Sequence, residues 1–238
     1  MQRVVISQPM YFPWAGFLSQ LAMADTLIWL DDVQFSKGSF TNRVQVKTQQ
    51  GVKWMSVPLA RIANQRAISR LQTSDPDTYA RHRSLLQTIF IDAVYSNEAL
   101  QLYDVAWSHG ILVEILIASS TVLAEAVGIT LPRMFRSSEM SAGGAGSKRV
   151  LELVKSVGGD TYISGHGGRN YLCHEDFDQA GIEVKYMNYC VQPWRQANEP
   201  FAANVSGLDL VANVPPSDRM AHLASDTQTW RCFCERRE

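Results

Sequence analysis

Ile6-Ser7-Gln8-Pro9-Met10-Tyr11-Phe12-Pro13-Trp14-Ala15-Gly16-Phe17 decides how the rest of the chain is read. It continues an apolar run, Val4-Val5-Ile6, that suits a buried strand. Two prolines and a glycine then break the strand, with three aromatics between them. A helix-like run follows from Phe17 to Ala24. A second apolar strand, Leu27-Ile28-Trp29-Leu30, ends in Asp31-Asp32. Strand, irregular loop, helix, strand is the first half of an open α/β fold. Such sheets bind ligands at the carboxyl ends of their strands. Ser7, Gln8, Asp31, Asp32 and Gln34 fall at those ends.

Working outward, Asn42 to Lys47 and Trp54 to Pro58 flank Gln49-Gln50-Gly51 and predict a hairpin. Residues 66–72 are expected to add a short strand. Ser74-Asp75-Pro76 starts a helix that runs from Tyr79 to Phe90. Asn97 is expected to cap a helix reaching Trp107. Ile111 to Val127 reads as a buried helix stopped by Gly128. The pattern then returns to strands at Met134-Phe135-Arg136, Thr161-Tyr162-Ile163 and Ile182 to Tyr186, with a helix from Ser147 to Val157. The expectation is a mainly parallel open sheet with flanking helices, in one α/β domain over residues 1–214. A helical insertion lies at about residues 74–130. The stretch 215–238 has few apolar anchors beyond Trp230 and Phe233 and is expected to pack loosely.

Composition narrows the function classes. Apolar residues make up 46% of the 238, enough for a full core. The formal net charge of −1 argues against a general nucleic-acid binder, which needs a broad basic face. No secretory signal or membrane-length apolar run is visible, so a cytoplasmic protein is expected. Cys173, Cys190, Cys232 and Cys234 lack zinc spacing. Cys173 and Cys190 are expected as small buried residues. No metal or cofactor is called for.

Ser164-Gly165-His166-Gly167-Gly168-Arg169 is the strongest chemical candidate. Glycines allow positive φ and close approach of backbone N–H groups to an anion. Arg169 adds a two-point donor, and His166 suits general acid or base work. The alternative is a Gly-rich turn with an exposed histidine. Tyr11, Phe12 and Trp14 either wall a pocket or belong to the core. Asp31 can orient an amine or act as a base; the other reading is a turn cap at Asp32 and an ion pair with Arg43. Gln34 and Asn42 complete that polar cluster. Arg136, Ser137, Ser138 and Glu139 form a second ligand wall or a hydrogen-bonded loop. Ser206 reads as a helix cap.

The chain resembles the WbqC-like proteins, a bacterial group often encoded beside O-antigen and other specialised biosynthetic enzymes. The resemblance rests on Gln8-Pro9-x-Tyr11-x-Pro13-Trp14-x-Gly16-Phe17, on Asp31-x-Val33-Gln34-Phe35 with Asn42-Arg43, on Arg136-Ser137-Ser138-Glu139 with Tyr162 to Leu172, and on Phe201 to Leu210. It implies a transferase that attaches an aminoacyl or acyl group, such as glycyl, to an amine acceptor. Aminoacyl-tRNA or a carrier thioester would serve as donor. Asp31 and His166 are the catalytic candidates. Ser7, Gln8, Tyr11, Trp14, Gln34, Asn42, Arg43, Arg136, Ser137, Ser164, Gly165, Gly167, Gly168 and Arg169 are the binding candidates. His166 is often absent from the family pattern. The first loop is also similar to that of adenylyl- and cytidylyltransferases, but Phe17 stands where their phosphate-binding histidine would be. A nucleotidyltransferase or ligase-like enzyme therefore remains an alternative, as does a non-catalytic partner of a biosynthetic complex.

Overall fold

Six strands form the main sheet. β1 (Arg3–Ser7) pairs in parallel with β2 (Thr26–Trp29) on one side and with β6 (Thr161–Ser164) on the other. β5 (Arg133–Arg136) extends the sheet beyond β2, and β7 (Glu183–Tyr189) extends it beyond β6, both in parallel. β8 (Ser225–Thr229) closes the β7 edge antiparallel. The order is β5-β2-β1-β6-β7-β8. β3 (Arg43–Thr48) and β4 (Gly51–Ser56) make a separate two-stranded ribbon, as the Gln49-Gln50-Gly51 turn predicts. The computed structural model describes residues 1–61, 67–197 and 199–235.

Both faces of the sheet are covered, which is why β2 is buried along its whole length. One core joins Val5, Leu27 and Trp29 to helices α1 (Ala15–Ala22), α3 (Ser96–Trp107), α4 (Leu112–Ala126) and α7 (Gly207–Asn213). The other joins Val4, Ile28, Tyr162 and Val184 to α5 (Gly146–Ser156), α6 (His174–Gln179) and α8 (Trp230–Glu235). Alternate residues of each strand supply the two cores, as strand geometry requires. α2 (Thr78–Ile89), α3 and α4 lie between the ribbon and β5, where the helical insertion was expected. Gly128 takes φ +93° behind α4 and ends that helix.

Several local expectations are corrected. Ala67 forms a single bridge to Gln34, and Ile68–Arg70 is a 3-10 turn rather than a strand; residue 66 lies outside the described residues. Asn97 sits inside α3, whose N-cap position is Tyr95 without a side-chain cap. Cys173 and Cys190 are exposed, and all four cysteines are free thiols. Residues 216–235 do not pack loosely, and residues 236–238 lie outside the described residues. Strand β8 completes the sheet, and Arg219 is fully buried. Arg219 grips Glu98 with both terminal nitrogens, each at 2.6 Å. It also donates to the carbonyls of Val214, Ala126 and Val211. Sparse apolar anchors concealed this because the anchor is an arginine with every donor satisfied.

Arg219→Ala leaves Glu98 without its partner and empties the space that the guanidinium fills. The expected cost is about 3–5 kcal/mol of stability, read by chemical denaturation. A loss below about 1 kcal/mol would return the segment to a loosely attached tail.

Candidate functional site

The chain builds β1, β2 and β5 to one side and β6 and β7 to the other. The topological switch point therefore lies between β1 and β6. There the sheet opens. β1 is in register with β2 over four residues, Val4 to Ser7, but with β6 only at Arg3 and Val4. Beyond Val4 and Tyr162 the two strands part. The Ile163 carbonyl, which faces β1, accepts instead from Gln20 Nε2 of α1 at 3.0 Å. The resulting crevice holds two adjoining cavities of about 370 and 320 Å³ that share Met10, Gln20 and Gly165.

The larger cavity is lined by the ends of β1 and β6, with Ser7, Gln8, Ser164, Gly167 and Gly168 on its wall and Tyr171 at its rim. The smaller is more apolar, walled by Trp14, Phe17, Met187 and Tyr189, with His166 at its edge. None of these lining residues is a carboxylate or an ammonium. The crevice presents hydroxyls, amides, one imidazole and aromatic faces. Burial raises the pKa of Tyr162 and Tyr171, and that of Tyr189 to about 12, so the phenols stay neutral donors.

Local sequence explains the walls. Trp14 precedes α1 and folds its ring back over Gly16, where an added Cβ would stand 2.2 Å from the indole. The Pro13-Trp14-x-Gly16 spacing thus lays an aromatic wall across the start of α1, with Tyr189 edge-on at 5.7 Å. Gly168 packs on Ser164, whose Oγ lies 2.2 Å from a would-be Cβ. Gly165, Gly167 and Gly168 all avoid positive φ, which corrects the expectation of a left-handed anion loop. His166–Asn170 is a 3-10 turn, and its glycines serve close packing and open space rather than unusual φ. Arg169 lines neither cavity.

His166 Nε2 lies 2.7 Å from the Met187 carbonyl. A carbonyl only accepts, so Nε2 carries a proton, and in the neutral ring Nδ1 holds the lone pair. No hydrogen bond to Nδ1 occurs among the described residues. That is the arrangement of an oriented base.

Asp31 lies outside this crevice. It is fully buried at the end of β2 and receives Arg136 Nε at 2.9 Å, Ser138 Oγ at 2.8 Å and Ser138 N at 3.0 Å. Ser137 Oγ, 2.6 Å from Asp32 Oδ1, bridges the two aspartates by accepting from Asp31 N at 3.2 Å. Arg149 pairs with Asp32, and Arg136 also holds Glu114 at 2.5 Å. This network clamps β2, β5 and α5 together. Its carboxylates are taken up by protein donors, and Asp31 lines neither cavity of the crevice. Arg136 and Ser137 belong to the clamp, not to a second ligand wall.

The other candidates separate as well. Arg43 makes no ion pair with Asp32; it donates to the Gly38 carbonyl and lies over Trp54, 4.1 Å from the ring centroid. Asn42 ties β3 to β4 by donating to the Val57 carbonyl at 2.8 Å. Gln34 is exposed and bridges to Ala67. Tyr11 is fully buried and lines neither cavity of the crevice. Trp107 Nε1 donates to its oxygen at 3.1 Å, and the same oxygen is hydrogen-bonded to His82 Nδ1 at 2.8 Å. Ser206 caps α7 through Leu208 N, as expected. The crevice residues that the sequence reading did not name as site candidates include Met10, Phe17, Gln20, Tyr171, Met187 and Tyr189. Gln20 carried a signal, as the amide in the otherwise largely apolar run Phe17 to Ala22. Among the described residues, no group of three His, Cys, Asp or Glu is placed to hold a metal, and no helix is long and apolar enough to cross a membrane.

Residues 8–221 match the model of the WbqC-like protein family, and the chain belongs to that family. It is 27% identical over 224 residues to an uncharacterized protein of Mycobacterium tuberculosis, Rv1507c, covering 90% of this chain and 94% of that one. No solved structure matches the chain.

Asp31→Ala leaves Arg136 with Glu114 as its remaining carboxylate and strips Ser138 N and Oγ of their acceptor, and an expected cost of about 1–3 kcal/mol follows. Equal stability by denaturant titration would contradict the clamp. A pH effect comes from His82, whose pKa burial lowers to about 4. The unfolded chain, with a value near ~6.5, takes up that proton first as pH falls. The stabilisation is therefore complete above about pH 6.5 and is lost progressively towards pH 4, roughly 3 kcal/mol in all. His82→Gln should narrow its stability gap to the wild type over that window. A gap independent of pH would show that His82 does not titrate with folding.

Proposed function

We propose that this protein is a cytoplasmic transferase that joins an aminoacyl or acyl group, glycyl-like in size, to an amine of a small biosynthetic intermediate such as an amino sugar. The observation that carries this reading is the uncharged, two-lobed crevice at the switch point. Its polar lobe, with Ser7, Gln8 and Ser164, suits a hydroxylated acceptor. Its apolar lobe, with Trp14, Phe17, Met187 and Tyr189, suits the body of an activated donor. Aminoacyl-tRNA or a carrier thioester is the donor class that this chemistry needs. No further cofactor is required.

The chemical step follows from His166. Its Nδ1 takes a proton from the acceptor ammonium or from the amine as it attacks the donor carbonyl. The C–N bond forms, the C–O or C–S bond of the donor breaks, and the leaving group departs with a proton. Hydroxyl and amide donors of the polar lobe hold the acceptor in place.

A second reading draws on the strand order. The parallel strands β5-β2-β1-β6-β7 run 3-2-1-4-5 in chain order, as in the first five strands of the dinucleotide-binding fold, and this favours a nucleotide in the same crevice. Against that reading, the Trp14 ring covers Gly16 in the first turn of α1, where a phosphate would meet free N–H groups.

Calorimetry against amino sugars, nucleotide sugars, nucleotides, aminoacyl-tRNA and acyl thioesters separates the readings. Binding of an amino sugar together with an acyl donor is expected; binding of nucleotides alone would favour the second. In the assay so defined, His166→Asn is expected to lower turnover about 10²–10⁴-fold with little change in acceptor affinity. Near-normal turnover would end the role of His166 as base.

A further inference from the structure

The stretch that matches the family ends at residue 221, yet the chain continues into β8 and α8. This continuation reaches His166. The Phe233 ring, 6% exposed, lies 4.9 Å from the His166 ring and is stacked on Tyr186 at 4.2 Å. Tyr186 is hydrogen-bonded to His174 Nε2 at 2.7 Å, and His174 is stacked on Trp230 at 4.7 Å. Trp230 and Arg231 both reach Asp178 of α6. α8 is thus fastened at both ends of an aromatic row, and the last ring of that row braces the imidazole.

We propose that β8–α8 is a working part of the crevice and that Phe233 is a positioning residue for His166. The imidazole is held by two contacts of different kinds. The Met187 carbonyl fixes which nitrogen carries the proton. The Phe233 ring fixes the plane in which the imidazole lies. One hydrogen bond alone leaves the ring free to pivot about it, or to turn over and offer Nδ1–H to the same carbonyl. With Phe233 packed against it, the ring keeps Nδ1 as its free acceptor. The contact also links this 3-10 turn to a core on the α8 side of the sheet. The proposal rests on the transferase reading only for what Nδ1 acts upon.

The test is a long-range proton–nitrogen correlation spectrum of the imidazoles in the full chain, with His166→Asn identifying the signals. Wild-type His166 should show a single Nε2–H tautomer. Phe233→Ala should give mixed tautomers or exchange-broadened His166 signals while the signals of His82 stay unchanged. Turnover should fall by up to about 10²-fold, the scale of a misplaced catalytic group, with KM little altered. Phe233→Leu keeps the volume without the flat ring and is expected to give the same change more weakly; it serves if the alanine variant does not fold. A sharp, unchanged Nε2–H signal in a folded Phe233 variant would overturn the proposal. The spectrum needs no substrate, so this outcome is distinct from any failure of the transferase reading.

Discussion

The parting of β1 from β6 after only two paired residues is the constraint on which the rest of the crevice depends. A parallel sheet normally continues its ladder, because each unpaired buried N–H or C=O is costly. Here the ladder stops at Val4 and Tyr162, and the Ile163 carbonyl turns to Gln20 instead. That substitution makes the gap tolerable. It also draws α1 across the mouth of the gap, which places Trp14, Phe17 and Gln20 on one wall. The opposite wall comes from the 3-10 turn after β6, pressed close to its strand because Gly168 admits the Ser164 hydroxyl.

Two bonded networks flank this opening. On the β2–β5 side, the paired aspartates and arginines lock three elements with charge-assisted bonds that are largely shielded from solvent. On the β6–β7 side, an aromatic row from Trp230 to His166 performs the same task with stacked rings. The first fixes the floor of the molecule beside the site, and the second fixes a side chain within it. Their chemistry differs because their positions differ. The clamp sits at a strand end where backbone and hydroxyl donors converge. The row lies over a sheet face, where flat apolar surface is available.

Much of the fold was legible in the sequence because it is written in apolar periodicity. The β1, β2, β5 and β6 segments were each marked by a short apolar run followed by polar residues, and these strand ends do lie side by side. The family resemblance was legible in four blocks spaced along the chain. The individual roles within those blocks were harder to read. Tyr11 and Asp31 look equally suited to a ligand or to a buried network, because the same hydrogen-bonding groups serve both. Only burial distinguishes them, and burial depends on His82, Trp107, Arg136 and Ser138, all distant in sequence. The segment after Pro215 was misjudged for a related reason: its anchors are an arginine and a few aromatics, not an apolar stripe. Met187 and Tyr189 carried no signal, since a strand that alternates between two cores looks the same whichever face later borders a cavity.

The central claim is that ligands enter between the carboxyl ends of β1 and β6. A crystal structure of the protein with the compound that raises its melting temperature most would test this directly. Density is expected between Ser7, Gln8 and Ser164–Gly168, with the ligand extending past Gly165 towards Trp14 and Tyr189. Density at the β2–β5 end, against Asp31 and Arg136, would contradict it.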